Sequence, residues 1–397
     1  MASLHHEALL LLTNTPASFS ALKTVHGSTL KTVVSELAAA IKDGTAEDGH
    51  DIKDGQSAVA VLDVAVVVRG LNPAGEKPFA RLQQFLASFY KLLGAVSVSV
   101  SAELDGPGGI DARVFFLDVE SQIPHPYGPI IDVKSFLASN RSWDTVYASA
   151  DGSASRLAAM LNGSMATDIR KLPGPGGDEQ PEGLLLDYDA SQLAVPHYSV
   201  AVGGTFDHLH AGHKLLLTAT VLALDTCSPQ PARSCGRVVT IGITGDELLV
   251  NKKYAEFLES WEERWKGVWT FLQSTMNFSA AREADIKREF EPGPNGRRVI
   301  VSLYPDLELR FVQIADPFGP TITDKDITAL VVSKETRSGG KAVNDEREKK
   351  GWSKLDVFEV DVLDAGDGTS VSEDSFESKI SSTEIRRRRM NLAKGSL

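Results

Sequence analysis

The sequence predicts an α/β protein in which a smaller α/β domain precedes a C-terminal, doubly wound parallel sheet of the Rossmann-like kind. Three observations predict it: the length of 397 residues, the strand and helix patterns that alternate after residue 196, and a Pro- and Gly-rich stretch near residue 175. A single hydrophobic core rarely grows beyond about 250 to 300 residues, so two domains are expected. We place them at residues 1–172 and 196–397, joined by a linker at 173–195.

The composition fits a folded globular protein and excludes several classes. A net charge of −12 argues against a broad nucleic-acid surface, which needs basic residues to neutralise phosphates. Cys227 and Cys235 have no Cys or His partner at metal-ligand spacing, so neither a disulfide scaffold nor structural zinc is expected. The first twelve residues lack the basic region of a signal peptide, and the apolar stretch 58–68 is too short to span a membrane. We therefore expect a cytoplasmic protein without membrane contact.

The N-terminal half carries patterns of an α/β unit. Apolar residues at helical spacing from Leu82 to Leu93 predict a helix, and the alternation from Val96 to Val100 predicts a strand after it. Residues 58–68 and 114–119 are expected to form further strands, and the polar insert 42–56 a mobile loop. This half contains no chemical motif, so its role is left open, with partner enzymes and oligomerisation as guesses.

The C-terminal half begins with the strand-like YSVAVGG, a glycine turn and the helix-like HKLLLTATVLAL. Further strands are expected at 237–244, 308–315, 329–333 and 355–363. Strands that alternate with helices form right-handed crossovers and a parallel sheet, whose ligands bind at the carboxyl ends near the switch point. The acidic, Ser-rich segment 364–378 is expected to connect flexibly to a final helix.

The strongest motif, GGTFDHLHAGH, lies at residues 203–213, where the first strand of this half turns into the first helix. Glycines permit close backbone approach, and a helix start offers N–H groups to an anion. His210 and His213 are one helical turn apart and can face the same phosphate. The alternative is that the glycines only shape a turn and the imidazoles are structural. The spacing fits neither the dinucleotide fingerprint nor a P-loop.

A second motif, ISSTEIR, lies at residues 380–386 and opens a helix that continues into more arginines. Ser381, Ser382 and Thr383 can cap the helix or donate hydrogen bonds to a polyphosphate. Alone the motif favours capping, whereas its pairing with the first motif favours phosphate binding. Arg386 is the arginine nearest the hydroxyl groups, and the later ones are expected to be solvated.

Together these motifs resemble the nucleotidyltransferase superfamily with the HxGH and ISSTxxR signatures. VAVGGTFDHLHAGHK resembles its eukaryotic-type phosphopantetheine adenylyltransferase branch, as do IGITGDELLVNKKYAEFLESWEER and LVVSKETRSGGKAVNDER. The resemblance covers residues 198–392 and implies transfer of AMP from ATP to 4'-phosphopantetheine, giving dephospho-coenzyme A and pyrophosphate in coenzyme A biosynthesis. Because no P-loop occurs, the dephospho-coenzyme A kinase fused to some relatives is not expected.

The resemblance also implies roles for single residues. Thr205 would orient the acceptor phosphate, and His213 would stabilise the transition state at the α-phosphorus. His210 would contact the triphosphate. Lys252 would bind and neutralise phosphates, with Lys253 as a substitute. The catalytic set is thus Thr205, His213 and Lys252, of which Thr205 and Lys252 also bind phosphopantetheine.

Further residues are implied as ATP ligands. The full ATP-binding set is Gly203, Gly204, Phe206, His210, His213, Glu335, Asn344, Ser381, Ser382, Thr383 and Arg386. Thr336, Gly339, Gly340 and Arg347 lie in the same segment as Glu335 and Asn344, which otherwise reads as a Gly-rich turn that caps a helix. No protein metal site is expected, since Mg²⁺ usually binds through substrate phosphates and would arrive with ATP.

Two competing interpretations stay open. One is another small-molecule nucleotidyltransferase of the same fold, such as a nicotinamide mononucleotide adenylyltransferase. The other is a non-catalytic scaffold that holds coenzyme A enzymes through its N-terminal half. GTFDHLHAGHK and SKETRSGGKAVN fit the phosphopantetheine branch better than the first, and an intact set of site residues argues against the second.

Overall fold

A computed structural model describes residues 5–13, 15–47, 59–69, 79–106, 108–121, 127–150, 152–161, 165–173, 195–225, 236–279, 286–293, 296–303, 307–361 and 381–395. Within these ranges the chain forms two parallel-rich sheets flanked by helices. The predicted α/β class, with a Rossmann-like sheet in the C-terminal half, is confirmed. Apart from its two end residues, the predicted linker 173–195 lies outside the described residues, as does the segment 364–378.

The N-terminal unit is built around a sheet with the strand order β4-β3-β2-β1-β5-β6, in which every pairing is parallel. Residues 8–12 of β1 are each at most 1% exposed, as expected for a strand with both faces covered. The elements are β1 (His5–Leu12), α1 (Phe19–Glu47), β2 (Val59–Val68), α2 (Phe79–Ser99), β3 (Ile110–Asp118), β4 (Ile130–Asp132), α3 (Val133–Leu137), β5 (Trp143–Ser149), α4 (Gly152–Leu161) and β6 (Ala166–Leu172).

Two predictions for this unit need correction. Residues 96–100 were expected to be a strand, but α2 continues to Ser99. Val96 lies three and four residues after Leu93 and Leu92, so it joins their buried face, and the alternating valines fit a helix equally well. Residues 42–47 of the expected mobile loop are the last turns of α1, while 48–56 lie outside the described residues.

The C-terminal unit has the strand order β13-β12-β7-β8-β11-β10-β9. The first five strands pair in parallel, and β9 and β10 extend the sheet as an antiparallel hairpin that the sequence analysis did not predict. The elements are β7 (Ser199–Gly204), α5 (Ala211–Leu222), β8 (Arg237–Thr244), α6 (Trp261–Met276), β9 (Ile286–Gly293), β10 (Gly296–Leu303), β11 (Leu307–Ile314), β12 (Ala329–Ser333), α7 (Arg337–Lys349), β13 (Asp356–Val360) and α8 (Ser382–Gly395).

The two units share one apolar cluster, which runs from α1 and α2 through α5 and α6. Polar contacts join them as well: Arg141 donates to the carbonyls of Ser274 and Asn277, at 2.6 and 3.0 Å, and Arg113 donates to the Ser274 hydroxyl at 3.1 Å. The N-terminal sheet therefore packs directly on the helices that flank the C-terminal sheet. None of the helices in the described part of the chain is both long and apolar enough for a membrane crossing.

Candidate active site

The candidate site lies where the connections of the C-terminal sheet change direction. β7 is flanked by β8, which follows it through α5, and by β12, which comes much later in the chain. Ligands of such sheets bind at this switch point, outside the carboxyl ends of the strands. The HxGH motif occupies that position, because β7 ends at Gly204 and α5 begins at Ala211.

The turn after β7 is tight. A Cβ atom on Gly204 would lie 3.0 Å from the Phe206 ring, so a side chain at this position would force that buried ring to shift. Phe206 adopts a left-handed backbone conformation, with φ at 52°, and its side chain is fully buried against His213. Only the backbone of Phe206 is thus placed to meet a ligand, and its predicted contact with ATP stays a prediction.

His210 and His213 lie side by side, with ring centroids 4.0 Å apart. Burial, together with the neighbouring His213 and Lys214, lowers the pKa of His210 well below its usual value. Burial lowers the pKa of His213 to about 4. Both rings are therefore neutral at neutral pH. Their predicted role as two donors to one anion stays a prediction.

Hydrogen bonding decides which nitrogen of His210 carries the proton. Its Nδ1 accepts from the backbone N–H of Gly212 at 3.2 Å and caps α5, so the proton of the neutral ring lies on Nε2. In His213 the Nδ1 atom is buried without a partner, which leaves Nε2 as the nitrogen that can reach a ligand. The pair can present two Nε2 atoms to one phosphate.

The structure brings the ISSTEIR motif to the HxGH motif. The Ser382 hydroxyl donates to the carbonyl of Asp207 at 2.7 Å, and the guanidinium of Arg386 forms a buried ion pair with the Asp207 carboxylate. Arg386 also donates to the carbonyl of Lys253 and to the Thr383 hydroxyl. Its side chain is thus committed to joining α8 to the β7–α5 loop, so its predicted role as an ATP ligand stays a prediction.

Ser381 plays the capping role that the sequence left as an alternative. Its hydroxyl accepts from the backbone N–H of Glu384 at 3.2 Å. Thr383 is exposed at the start of α8 and remains positioned to meet a polyphosphate. The motif therefore both caps the helix and places hydroxyl groups beside the first motif.

In the described part of the chain, one group of side chains has the spacing of a metal site: Asp207, His208 and Glu259. The Asp207 carboxylate already accepts from the Glu259 N–H and pairs with Arg386. Glu259 accepts from the backbone of His208 and pairs with its ring, whose Nε2 contacts the carbonyl of Phe257 at 2.8 Å. Burial opposes protonation, but the contacts with Glu259 raise the pKa of His208. These atoms are already bonded to one another and to Arg386 within the protein, and the expectation that Mg²⁺ arrives with ATP stays a prediction.

Lys252 and Lys253 are both exposed beside this network. Arg264, fully buried, donates to the carbonyl of Thr205 at 2.8 Å and to the carboxylate of Asp246 at 2.6 Å, which fixes the backbone of the predicted acceptor-binding threonine. Arg264 was not predicted as a site residue, although it is the last residue of the motif IGITGDELLVNKKYAEFLESWEER. Its place in that motif is the one signal in the sequence that points to it.

The segment after β12 splits into two groups of residues. Glu335 and Gly339 are exposed, and their predicted place at the nucleotide pocket stays a prediction. Asn344, by contrast, uses both ends of its amide on the backbone of Leu355, at 2.8 and 3.0 Å. Arg347 is buried and donates to five backbone carbonyls, four of them in the β11–β12 connection and the fifth that of Ser353 after α7. These two side chains hold the fold together, so the contact of Asn344 with ATP stays a prediction.

Comparisons with known proteins agree with this geometry. A family model described as cytidylyltransferase-like matches residues 201–388, and a model described as a domain of unknown function matches residues 1–166. The chain is 34% identical over 206 residues to a phosphopantetheine adenylyltransferase of Saccharomyces cerevisiae, covering 52% of this chain and 53% of that protein. It is 39% identical over 193 residues to an uncharacterised protein of Schizosaccharomyces pombe, covering 49% and 48%.

An archaeal relative is matched over most of its length. The phosphopantetheine adenylyltransferase of Methanothermobacter thermautotrophicus is 30% identical over 188 residues, which cover 47% of this chain and 82% of that protein. The chain spans about half the length of the two fungal relatives.

Proposed function

The chain belongs to the phosphopantetheine adenylyltransferase family of cytidylyltransferase-like nucleotidyltransferases, and on that premise we propose that it transfers the adenylyl group of ATP to 4'-phosphopantetheine. The products would be dephospho-coenzyme A and pyrophosphate, in coenzyme A biosynthesis. The observation that carries the proposal is the pair of neutral imidazoles of His210 and His213 at the switch point, with α8 docked on the same loop. The similarity to a fungal enzyme supports a place in the eukaryotic-type branch.

The proposed reaction needs neither a general base nor a covalent intermediate. An oxygen of the acceptor phosphate attacks the α-phosphorus of ATP, and the bond from that phosphorus to the α–β bridging oxygen breaks to release pyrophosphate. Catalysis then consists of in-line positioning and stabilisation of charge. Nε2 of His213 would face the α-phosphate, Nε2 of His210 and the Thr383 hydroxyl the triphosphate, and Thr205 and Lys252 the acceptor phosphate.

We further propose that Mg²⁺ enters with ATP and neutralises part of the charge on its phosphates. Three side chains lie close together here: Asp207, His208 and Glu259. They already bond to one another and to Arg386, which supports a metal carried by the substrate over one held by the protein.

The test is pyrophosphate release by the purified protein with MgATP, comparing 4'-phosphopantetheine with nicotinamide mononucleotide. We expect turnover with phosphopantetheine, and a loss of about 100- to 1000-fold in His213→Ala, the cost of one preorganised donor. The matched control is His6→Ala, since His6 is a partly buried histidine of the N-terminal unit outside the candidate site, and this change should leave the rate unchanged. Turnover with the mononucleotide alone would keep the fold and refute the acceptor, and ATP binding without any turnover would favour the scaffold.

A further inference from the structure

The residue after the HxGH motif, Lys214, points away from the candidate site and into the N-terminal unit. Its side chain is 3% exposed, and its ammonium group donates to the carboxylates of Asp105 and Asp111, each at 2.5 Å, and to the carbonyl of Ala112 at 3.2 Å. The three acceptors match the three protons of the ammonium group. The helix that carries both histidines is therefore fastened to the other unit one residue after His213.

Asp105 makes a second contact with the same helix. Its other carboxylate oxygen accepts from the backbone N–H of Ala211, the first residue of α5, at 3.1 Å. An orphan donor at the helix start is thus satisfied by a side chain from the N-terminal unit. The loop is shaped for this contact, since Asp105 and Gly106 both have left-handed backbone conformations, with φ at 53° and 91°.

The same loop also contacts α8, the helix that begins in the ISST motif. Glu103 forms an ion pair with Arg388 of α8, and Gly106 lies close enough to Ile385 that an added Cβ would be 3.6 Å from its side chain. We call Glu103, Asp105 and Asp111 the clamp. It contacts both α5 and α8, the two helices whose first turns carry the HxGH and ISST motifs.

The charges of the clamp are balanced beside a site for a polyanion. A carboxylate at the start of α5 would by itself repel a triphosphate, but Lys214 neutralises Asp105, and Arg113 pairs with Asp111 at 2.7 Å. Removing the carboxylate of Asp105 while keeping its shape should therefore loosen the attachment without creating a buried excess of negative charge.

We propose that the N-terminal unit is a fixed part of the nucleotidyl-transfer site, in which Asp105 and Lys214 are positioning residues that set where His210 and His213 lie. The proposal rests on the proposed function, because it assigns those histidines to the transition state. A motif displaced by about 1 Å can cost on the order of 100-fold in rate. The clamp should therefore govern kcat more than the affinity for ATP.

The test uses Asp105→Asn in the full chain, with Asp168→Asn as the matched control. Asp168 is an exposed carboxylate in the same unit that pairs with Arg170. Kinetics of pyrophosphate release with MgATP and 4'-phosphopantetheine should show kcat at least about 10-fold lower in Asp105→Asn, with KM for ATP within about 3-fold. Circular dichroism should show both variants folded, and hydrogen exchange at the amides of residues 211–213 should accelerate in Asp105→Asn only.

The outcomes separate this proposal from the proposed function. A folded Asp105→Asn with the control's kcat and unchanged exchange would overturn the clamp, and so would a rise in KM for ATP with kcat kept. If the unmodified protein shows no turnover with phosphopantetheine, the proposed function fails and exchange alone decides: faster exchange at 211–213 in Asp105→Asn supports positioning by the clamp, and equal exchange overturns it.

Discussion

The two units of the chain are both built on parallel-rich sheets with a switch point, yet among the described residues only the C-terminal unit carries a recognisable site. In the N-terminal sheet the connections reverse between β1 and β5, and in the C-terminal sheet they reverse at β7. The polar side chains at the strand ends differ. Asp118 and Asp132 cap the turns that follow their own strands, whereas the rings of His210 and His213 lie side by side at the switch point.

This difference shows that architecture supplies a place for chemistry but not the chemistry itself. The carboxylates at the N-terminal strand ends accept hydrogen bonds from neighbouring backbone N–H groups. They therefore stabilise the fold. The N-terminal unit nevertheless reaches the site of the other unit through Asp105 and Lys214. The two units therefore differ in role, but each should contribute to the stability of the other.

The largest effect is expected from Lys214→Met, which would break the connection between the units. It would leave the buried Asp105 and the half-buried Asp111 without their shared cation, and loss of one partner of a buried pair costs about 3–5 kcal/mol. Urea denaturation at neutral pH, followed by hydrogen exchange in peptides of each unit, should show this loss. Because the clamp joins the units, both signals should shift.

The matched control is Lys171→Met, since Lys171 is exposed in the N-terminal unit. A surface substitution of this kind should change the free energy of unfolding by no more than about 0.5 kcal/mol. Equal effects of the two substitutions would mean that the buried ion pairs contribute nothing beyond a surface lysine, and the units would then be energetically independent.

A second, smaller effect is expected in the pH dependence of stability, through the desolvated ring of His213. The pKa of His213 is lowered to about 4, below its usual value near 6.5, because the ring is desolvated. Between these two values the unfolded chain binds more protons, so the stability contributed by the neutral ring is complete above pH 6.5 and is lost as the pH falls to 4. The loss is at most about 3 kcal/mol, and less where the half-buried ring keeps some hydration.

The measurement is the free energy of unfolding from pH 7.5 to 4, comparing the unmodified protein with His213→Gln, which should lose stability less steeply. His208→Gln gives a control of opposite sign. The pKa of His208 is raised by Glu259 despite burial, so its contribution is present at low pH and lost as the pH rises through the folded value. Identical slopes for the unmodified protein and His213→Gln would contradict a neutral, desolvated ring at position 213.

The sequence predicted the C-terminal unit better than the N-terminal one, for a physical reason. Strands 237–244 and 329–333 were placed correctly because short apolar runs that are rich in β-branched residues and bounded by loops favour strands over helices. The first strand, β1, was missed because it was considered only as a leader segment, and Val96–Val100 was misassigned because three alternating valines fit both periodicities.

For the site, the two motifs identified which residues meet, since the loop after β7 and the start of α8 are in contact. They could not reveal Asp105, whose contacts with Ala211 and Lys214 join residues more than 100 positions apart. Nor could they show that Asn344 and Arg347 bond to the backbone. The sequence alone does not distinguish a buried amide or guanidinium from one that binds a ligand. Which role such a side chain has depends on whether backbone groups next to it in the folded chain need a hydrogen-bond partner.

The smallest effect is expected from Asn344→Ala, which asks whether this residue belongs to the fold or to the ATP pocket. Its amide closes two hydrogen bonds with the backbone of Leu355, a buried residue ahead of β13. Leaving those groups unpaired should cost about 1–3 kcal/mol in urea denaturation, with KM for ATP unchanged within about 2-fold. Asp345→Ala, at the exposed neighbouring position of α7, is the control and should change neither quantity. A rise in KM for ATP at unchanged stability would instead place the Asn344 amide at the nucleotide. Asn344 would then be a ligand-binding residue of α7 and not a structural one.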